Sequence, residues 1–309
     1  MKRWRCVSAS VAAGLLAAAG LAPARAQQAQ FRSGVDIVEL NVSVTDGRKV
    51  VADLAATDFD VFDNGVKQQV VSVTREKFPI DVTLVVDTSR SLSTPMHRAV
   101  VNAATRIRDT LKADDRLALV TFNQRVRERQ PLQPASAVRE FELDAPSGPT
   151  VLNDALAIVL SAKPITDRKQ MAIVFTDGYD TASFLTEEDV RALAGRSHTA
   201  VFVVARQGGW TASPRQPITF FHQVATTTGG VVQIVPGLNV TAGSNWVRIG
   251  PNVNLLDALF LKALEDFSSS YVLRYSLEGV SRPGWHEITV KVTKPGNRYV
   301  VRARNGYIA

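Results

Sequence analysis

Residues 81–91 read DVTLVVDTSRS. Val82, Leu84, Val85 and Val86 make a short, nearly continuous apolar run, the pattern of a strand covered on both faces; a strand with one wet face would alternate. MAIVFTD over residues 171–177 has the same character, RLALVTF over 116–122 is strand-like, and Ala200 to Val204 and Val231 to Val235 add two more strands. Between these runs the period changes. Met96, Val100, Ala103, Ile107 and Leu111 recur at spacings of three and four, one face of a helix. Thr150 to Leu160, Glu187 to Leu193, Phe220 to Ala225 and Leu255 to Phe267 read as further helices. Strands alternating with helices predict an α/β domain with a mostly parallel sheet.

Outside this block the period is two. Val38, Leu40, Val42 and Val44 alternate with polar residues, and Asp63-Asn64-Gly65 is a hairpin signal, since Asn-Gly tolerates the positive φ of a type I′ turn. After Ser270 the alternation returns around Tyr271, Ile288, Val290, Tyr299 and Val301, with a turn at Lys294-Pro295-Gly296. Each piece alone has too few strands to bury a core. The expected organisation is therefore a leader over 1–26, a β segment over 27–80, the α/β domain over 81–268 and a β segment over 269–309. The last pairs with the first in a β-sandwich-like module. The Gly-rich residues 236–254 read as an extended loop.

Composition narrows the class. The 309 residues are 45% hydrophobic and include a single cysteine, which excludes a disordered chain, a disulfide scaffold and a Cys-rich metal module. The formal charge of +7 invites a nucleic-acid reading until its location is examined. Residues 1–26 carry Lys2, Arg3 and Arg5, an apolar stretch from Val11 to Leu21, and Ala24-Arg25-Ala26 as a small-x-small cleavage pattern. The stretch is shorter than the ~20 residues a membrane span needs. Cleavage after Ala26 removes Cys6 and four basic residues, leaving 32 basic against 29 acidic side chains. The expectation is a secreted or periplasmic protein, with no nucleic acid as partner and no membrane span after cleavage.

Chemistry is concentrated where the buried strands end. Asp87-x-Ser89-x-Ser91 closes the first, Ser147-Gly148-Pro149-Thr150 opens a helix, and Thr176-Asp177-Gly178 closes another strand. In open parallel sheets, ligands bind beyond the carboxyl ends of the strands, where all three elements are expected. Ser89, Ser91 and Thr150 offer neutral hydroxyl oxygens, while Asp87 and Asp177 can balance a dication. Such a set suits a hard cation, Mg²⁺ before Mn²⁺ or Ca²⁺. With mainly neutral ligands the metal can accept an external carboxylate. Ser89 and Ser91 could instead cap a helix, a reading that Thr150 and Asp177 weaken. Asp154 reads as a helix-start residue and Asp180 as a possible outer partner of the metal site. No G-x-S-x-G elbow, H-E-x-x-H pair, P-loop or G-x-G-x-x-G occurs, and Asp58, Asp60 and Asp63 fail as a calcium loop because Phe62 takes the third ligand's place.

The set Asp87, Ser89, Ser91, Thr150 and Asp177 resembles the metal-ion-dependent adhesion site of von Willebrand factor type A domains, over roughly Asp81 to Phe267. The flanks, Asp58-Phe59 through Asn64-Gly65 and Arg302-Ala303-Arg304-Asn305-Gly306-Tyr307, resemble a group of exported bacterial proteins with this domain between β segments. The resemblance implies a doubly wound fold, a divalent cation at the sheet edge and a protein partner whose acidic side chain completes the coordination. It implies no catalytic residues and no enzyme. Arg90 departs from the pattern, standing where many such domains have glycine. Two alternatives stay open: a metal-assisted hydrolase using the same edge, which lacks a visible general base, and a scaffold with an empty site that binds through the β module.

Overall fold

The computed structural model describes residues 36–309 except 48, 76–77, 93, 177–179, 207–215, 236–252, 282 and 296–297. The expected leader therefore lies outside the described residues, as does most of the expected loop over 236–254.

The chain begins with β1 (Ile37–Asp46), β2 (Lys49–Val50), β3 (Phe59–Asp63) and β4 (Val66–Thr74). Asn64 and Gly65 between β3 and β4 have φ of 47° and 78°, the two positive values that a type I′ turn requires. Then come β5 (Ile80–Asp87), α1 (Thr94–Thr110), β6 (Arg116–Phe122), β7 (Val126–Pro134), α2 (Leu152–Leu160) and β8 (Lys169–Thr176). The block continues through α3 (Glu187–Arg196), β9 (Ala200–Arg206), α4 (Gln216–Thr228), β10 (Val232–Val235) and α5 (Val253–Ser268). The last strands are β11 (Tyr271–Ser276), β12 (Trp285–Val292), β13 (Tyr299–Arg302) and β14 (Gly306–Ile308).

Six strands form the central sheet in the order β10-β9-β8-β5-β6-β7, parallel except for β7. The apolar run of β5 divides between two cores. Val82, Leu84 and Val86 pack with Met96, Val100 and Ile107 of α1 and Phe260 and Leu264 of α5. Val85 faces the other way, into a cluster with Leu156 of α2, Val190 of α3 and Phe221 of α4. Helices on both faces remove any wet side, so the run shows no alternation. The fold is α/β and doubly wound. Strand β7 goes beyond the sequence reading: its VRERQPLQP carries charges and a proline inside, which only an edge strand tolerates.

The outer strands form one eight-stranded antiparallel sheet in the order β13-β1-β11-β4-β3-β12-β14, with β2 alongside β1. Ten residues long, β1 pairs with β11 through Ile37–Val42 and with β13 through Ser43–Asp46. The sandwich-like module is thus a single curled sheet whose inner face holds Leu40, Val42, Phe59, Val61, Tyr271, Leu273 and Tyr275. The ends of this sheet grip the central block. Arg304 donates to the Gly195 and Ser197 carbonyls at the end of α3, at 3.1 and 3.2 Å. Lys169 at the start of β8 donates to the carbonyl of Phe267 and the hydroxyl of Ser270 at the end of α5, both at 2.6 Å. No helix among the described residues is long and apolar enough to cross a membrane.

Candidate functional site

Strand order reverses at β5, which has β8 on one side and β6 on the other. Neighbouring loops there leave in opposite directions, and a crevice opens beyond the carboxyl end. Asp87 is the last residue of β5 and is fully buried. Its Oδ1 accepts the Ser89 N–H at 2.8 Å, and its Oδ2 accepts the Thr176 hydroxyl from the end of β8 at 2.8 Å. The carboxylate is thereby fixed from two strands before any ligand arrives.

The hydroxyls of Ser89 and Ser91 stand 2.9 Å apart. Ser89 is buried and Ser91 is exposed, so the pair runs from the floor of the crevice to its mouth. A turn holds them, closed by the Leu92 N–H on the Ser89 carbonyl at 3.1 Å and anchored by the buried Leu92 side chain. Thr88 ties the turn to β6, its N–H and hydroxyl both donating to the Phe122 carbonyl at 2.7 and 3.1 Å.

The loop before α2 is laced to this turn. Ser147 donates its N–H to the Thr88 carbonyl at 3.0 Å, and Arg90 donates its own to the Gly148 carbonyl at 3.1 Å. Gly148 has a φ of +71°, and a Cβ there would meet the Gln124 side chain at 3.1 Å, so the lacing needs a glycine. The loop that leads into Thr150 is thus held against the Ser89–Leu92 turn. A third loop closes on Thr150, whose carbonyl accepts the N–H groups of Thr181 and Ala182 at 2.9 and 3.1 Å. Arg90 is exposed and has a negative φ, so this turn does not require a glycine there.

The structure joins the turn of Asp87, Ser89 and Ser91 by backbone hydrogen bonds to the loop that leads into Thr150. Asp177 lies outside the described residues. Two other carboxylates nearby are fasteners. Asp154 accepts the Phe184 and Leu185 N–H groups at 3.2 and 3.0 Å, and Asp180 accepts the Asn153 N–H at 2.9 Å in the first turn of α2. Thr88, Thr181 and Ser183 are additions to the sequence reading. They act through backbone partners far away in sequence, and no spacing signals them.

The donor set suits a hard cation. Its atoms are all oxygens, three hydroxyls and one carboxylate, and among the described residues no cluster of three His, Cys, Asp or Glu side chains competes. In an octahedron with metal–oxygen distances of about 2.0–2.1 Å, adjacent oxygens are about 2.9 Å apart. The Ser89–Ser91 separation is 2.9 Å, which is compatible with two adjacent positions of such a shell. The same distance is a hydrogen bond in the absence of metal, so the pair is preorganised in either state.

The family model of the von Willebrand factor type A domain matches residues 81–220. None of the curated proteins matches the chain in sequence. Among solved structures it is similar to proximal thread matrix protein 1 from the mussel byssus, whose metal-ion-dependent adhesion motif holds zinc; identity is 14% and TM-score 0.47, covering 65% of this chain and 48% of that one. It is also similar to a von Willebrand factor type A protein from Catenulispora acidiphila, at 12% identity and TM-score 0.45, covering 90% and 75% of the two chains. A paralog of ArnB, VWA2 from Sulfolobus acidocaldarius, gives 10% identity and a TM-score of 0.48, covering 87% and 75%. The chain spans about half the length of the byssus protein.

Proposed function

With residues 81–220 a von Willebrand factor type A domain, we propose that the protein binds another protein through a divalent cation held at the carboxyl end of β5. The observation that carries this reading is the Ser89–Ser91 hydroxyl pair, 2.9 Å apart, beside the buried Asp87 carboxylate and laced to the Thr150 loop. When bound, the cation supplies an electron-poor centre for an anionic oxygen of the partner. Ser89, Ser91 and Thr150 provide the hydroxyl oxygens. Asp87 balances charge and orients Ser89 through its N–H. Asp177 is proposed as the second carboxylate. Arg90 adds positive charge at the rim, which steers an acidic partner toward the crevice. The same reading takes Mg²⁺ as the physiological cation, the role as binding without catalysis, and the chain as exported through its first 26 residues.

The test is a melting-temperature titration with Mg²⁺, Mn²⁺, Ca²⁺, Zn²⁺ or chelator. A ligand that binds only the native state adds about 2.7 kcal/mol at a hundred times its Kd. Ser91→Ala and Thr150→Val are the variants to compare, because Asp87→Ala would also break the bonds to Ser89 and Thr176. Both should match wild type in chelator and lose the cation-induced rise. A wild type that no cation shifts overturns the proposal. Ester or phosphoester turnover that disappears in Thr150→Val would move the site to metal-assisted hydrolysis.

A further inference from the structure

The loop after Asp180 ends in Phe184 and Leu185 and holds them outward. Phe184 is 97% exposed and Leu185 36%. The segment is firmly fastened. Both carboxylate oxygens of Asp154 take the N–H groups of these two residues, and the Leu185 carbonyl accepts the Asn153 side-chain amide at 3.0 Å. Ser183 donates its N–H to Asp180 at 3.1 Å, and its hydroxyl also bonds that carboxylate. Three polar side chains, two of them from the first turn of α2, are committed to the backbone of residues 183–185. The phenyl ring they hold in place has no ring contact among the described residues. An ordered, nearly fully exposed phenylalanine stabilises nothing within its own chain.

Its location gives it a use. The Thr150 carbonyl holds Thr181 and Ala182, and Asp154, which holds Phe184, lies four residues on in the first turn of α2. The apolar pair therefore belongs to the loop fastened to Thr150, whose own loop is bonded through Gly148 to the exposed Arg90. We infer that Phe184 and Leu185 form an apolar second contact for the protein partner. The segment recognised carries an acidic residue with a large apolar residue two or three positions away. In an extended strand those positions are about 7 and 10 Å from the acid, a span that reaches from the crevice past the next turn of α2. The acidic half of this motif rests on the function proposed above; the apolar half rests on the loop.

The experiment uses an array of immobilised nine-residue peptides with a central aspartate. Positions two and three away on each side are either leucine and phenylalanine or serine. Full-length wild type, Phe184→Ser and Thr150→Val are applied with Mg²⁺ or chelator, after confirming that their melting temperatures agree in chelator. Wild type should bind the apolar-flanked peptides about tenfold more tightly than the serine-flanked ones, the size expected for burying one large apolar side chain. Phe184→Ser should lose that preference yet keep Mg²⁺-dependent binding, and Thr150→Val should lose the Mg²⁺ dependence. Mg²⁺-dependent binding with no apolar preference in wild type, or with the preference intact in Phe184→Ser, overturns this inference alone. No Mg²⁺-dependent binding to any peptide overturns both it and the reading of the site.

Discussion

Asn in place of Asp81 should remove a large share of the protein's stability. Asp81 lies near the amino end of β5, directly across from Arg116 in β6 and Gln170 in β8. Its carboxylate is 4% exposed and receives Arg116 Nε at 2.8 Å, Arg168 Nε at 2.8 Å and Arg168 Nη2 at 2.6 Å. Burial works to raise its pKa, and the hydrogen bonds and charges of the two guanidiniums overcome it, so the carboxyl sits below its ordinary value. Asp81→Asn keeps the shape and leaves two cations around a neutral amide. Breaking a buried pair costs about 3–5 kcal/mol. The Arg116 and Arg168 side chains are 30% and 17% exposed, which favours the low end, about 3 kcal/mol. Urea denaturation of wild type, Asp81→Asn, Arg116→Met and the double variant would measure it. Arg116→Met should cost about 1 kcal/mol, because Arg168 still holds the carboxylate, and the cycle should show a coupling of similar size. The sign with pH is fixed: a lowered folded-state pKa gives stability that is complete above the ordinary 3.8 and lost as pH falls through the folded value. A difference under about 1 kcal/mol at pH 7, or one that persists undiminished well below pH 3.8, would refute the argument.

Gly230→Ala should abolish folding, because its Cβ would lie 1.9 Å from the Val201 carbonyl oxygen, a backbone atom that cannot yield; the readout is loss of soluble, cooperatively melting protein. Burial pulls the Lys169 ammonium down to about 7, with Arg75 adding to the effect and Glu39 opposing it. Between that value and the ordinary 10.5 the unfolded chain binds a proton that the folded chain has released, so stability rises with pH. The slope should be about 1 kcal/mol per pH unit and vanish in Lys169→Met; an equal slope in both proteins counts against it. Asp180→Ala should cost about 1 kcal/mol, since Val151, the residue before α2, supplies no side-chain cap and the helix depends on this carboxylate. Hydrogen exchange at the Asn153 and Ser183 amides, which donate to Asp180, should quicken in that variant, and unchanged exchange would show that they are held otherwise.

Much of this was legible before any coordinates, for reasons that can be stated. The unbroken apolar run of β5 announces two covered faces, and Asn64-Gly65 announces a hairpin, because each is a local demand on the backbone. The meeting of the Asp87 and Thr176 strand ends follows from the rule that parallel strands release their loops at one edge, whereas the Thr150 loop follows the antiparallel β7 and is not placed by that rule. Strand β7 is not legible, since edge strands owe their identity to a neighbour. The roles of Asp154 and Asp180 are equally hidden: their partners are N–H groups about thirty residues away, and no periodicity records them. Asp63 shows the same limit. It reads as a turn residue, yet it is fully buried, with Oδ1 2.8 Å from His286 Nδ1 and Oδ2 accepting the Tyr275 hydroxyl at 2.7 Å. That burial depends on a register set by strands more than two hundred residues later.

The polarity of the helices connects these pieces. In a doubly wound sheet the helices run against the strands, so their carboxyl ends gather at the amino edge and their amino ends at the opposite edge. Helix carboxyl ends expose carbonyls and partial negative charge. Lys169 at the end of α5 and Arg304 at the end of α3 meet that demand, and Arg304 also ties the central block to the curled sheet. The other edge carries the amino ends of α1 and α2, whose partial positive charge favours anions. Asp180 uses it at α2, and an acidic partner would gain from it too. A bare cation placed there is opposed, which is why a site of mostly neutral hydroxyls needs Asp87 fixed beneath it. The curled sheet therefore grips the amino edge, through Arg304 at the end of α3, and the proposed site lies at the opposite edge.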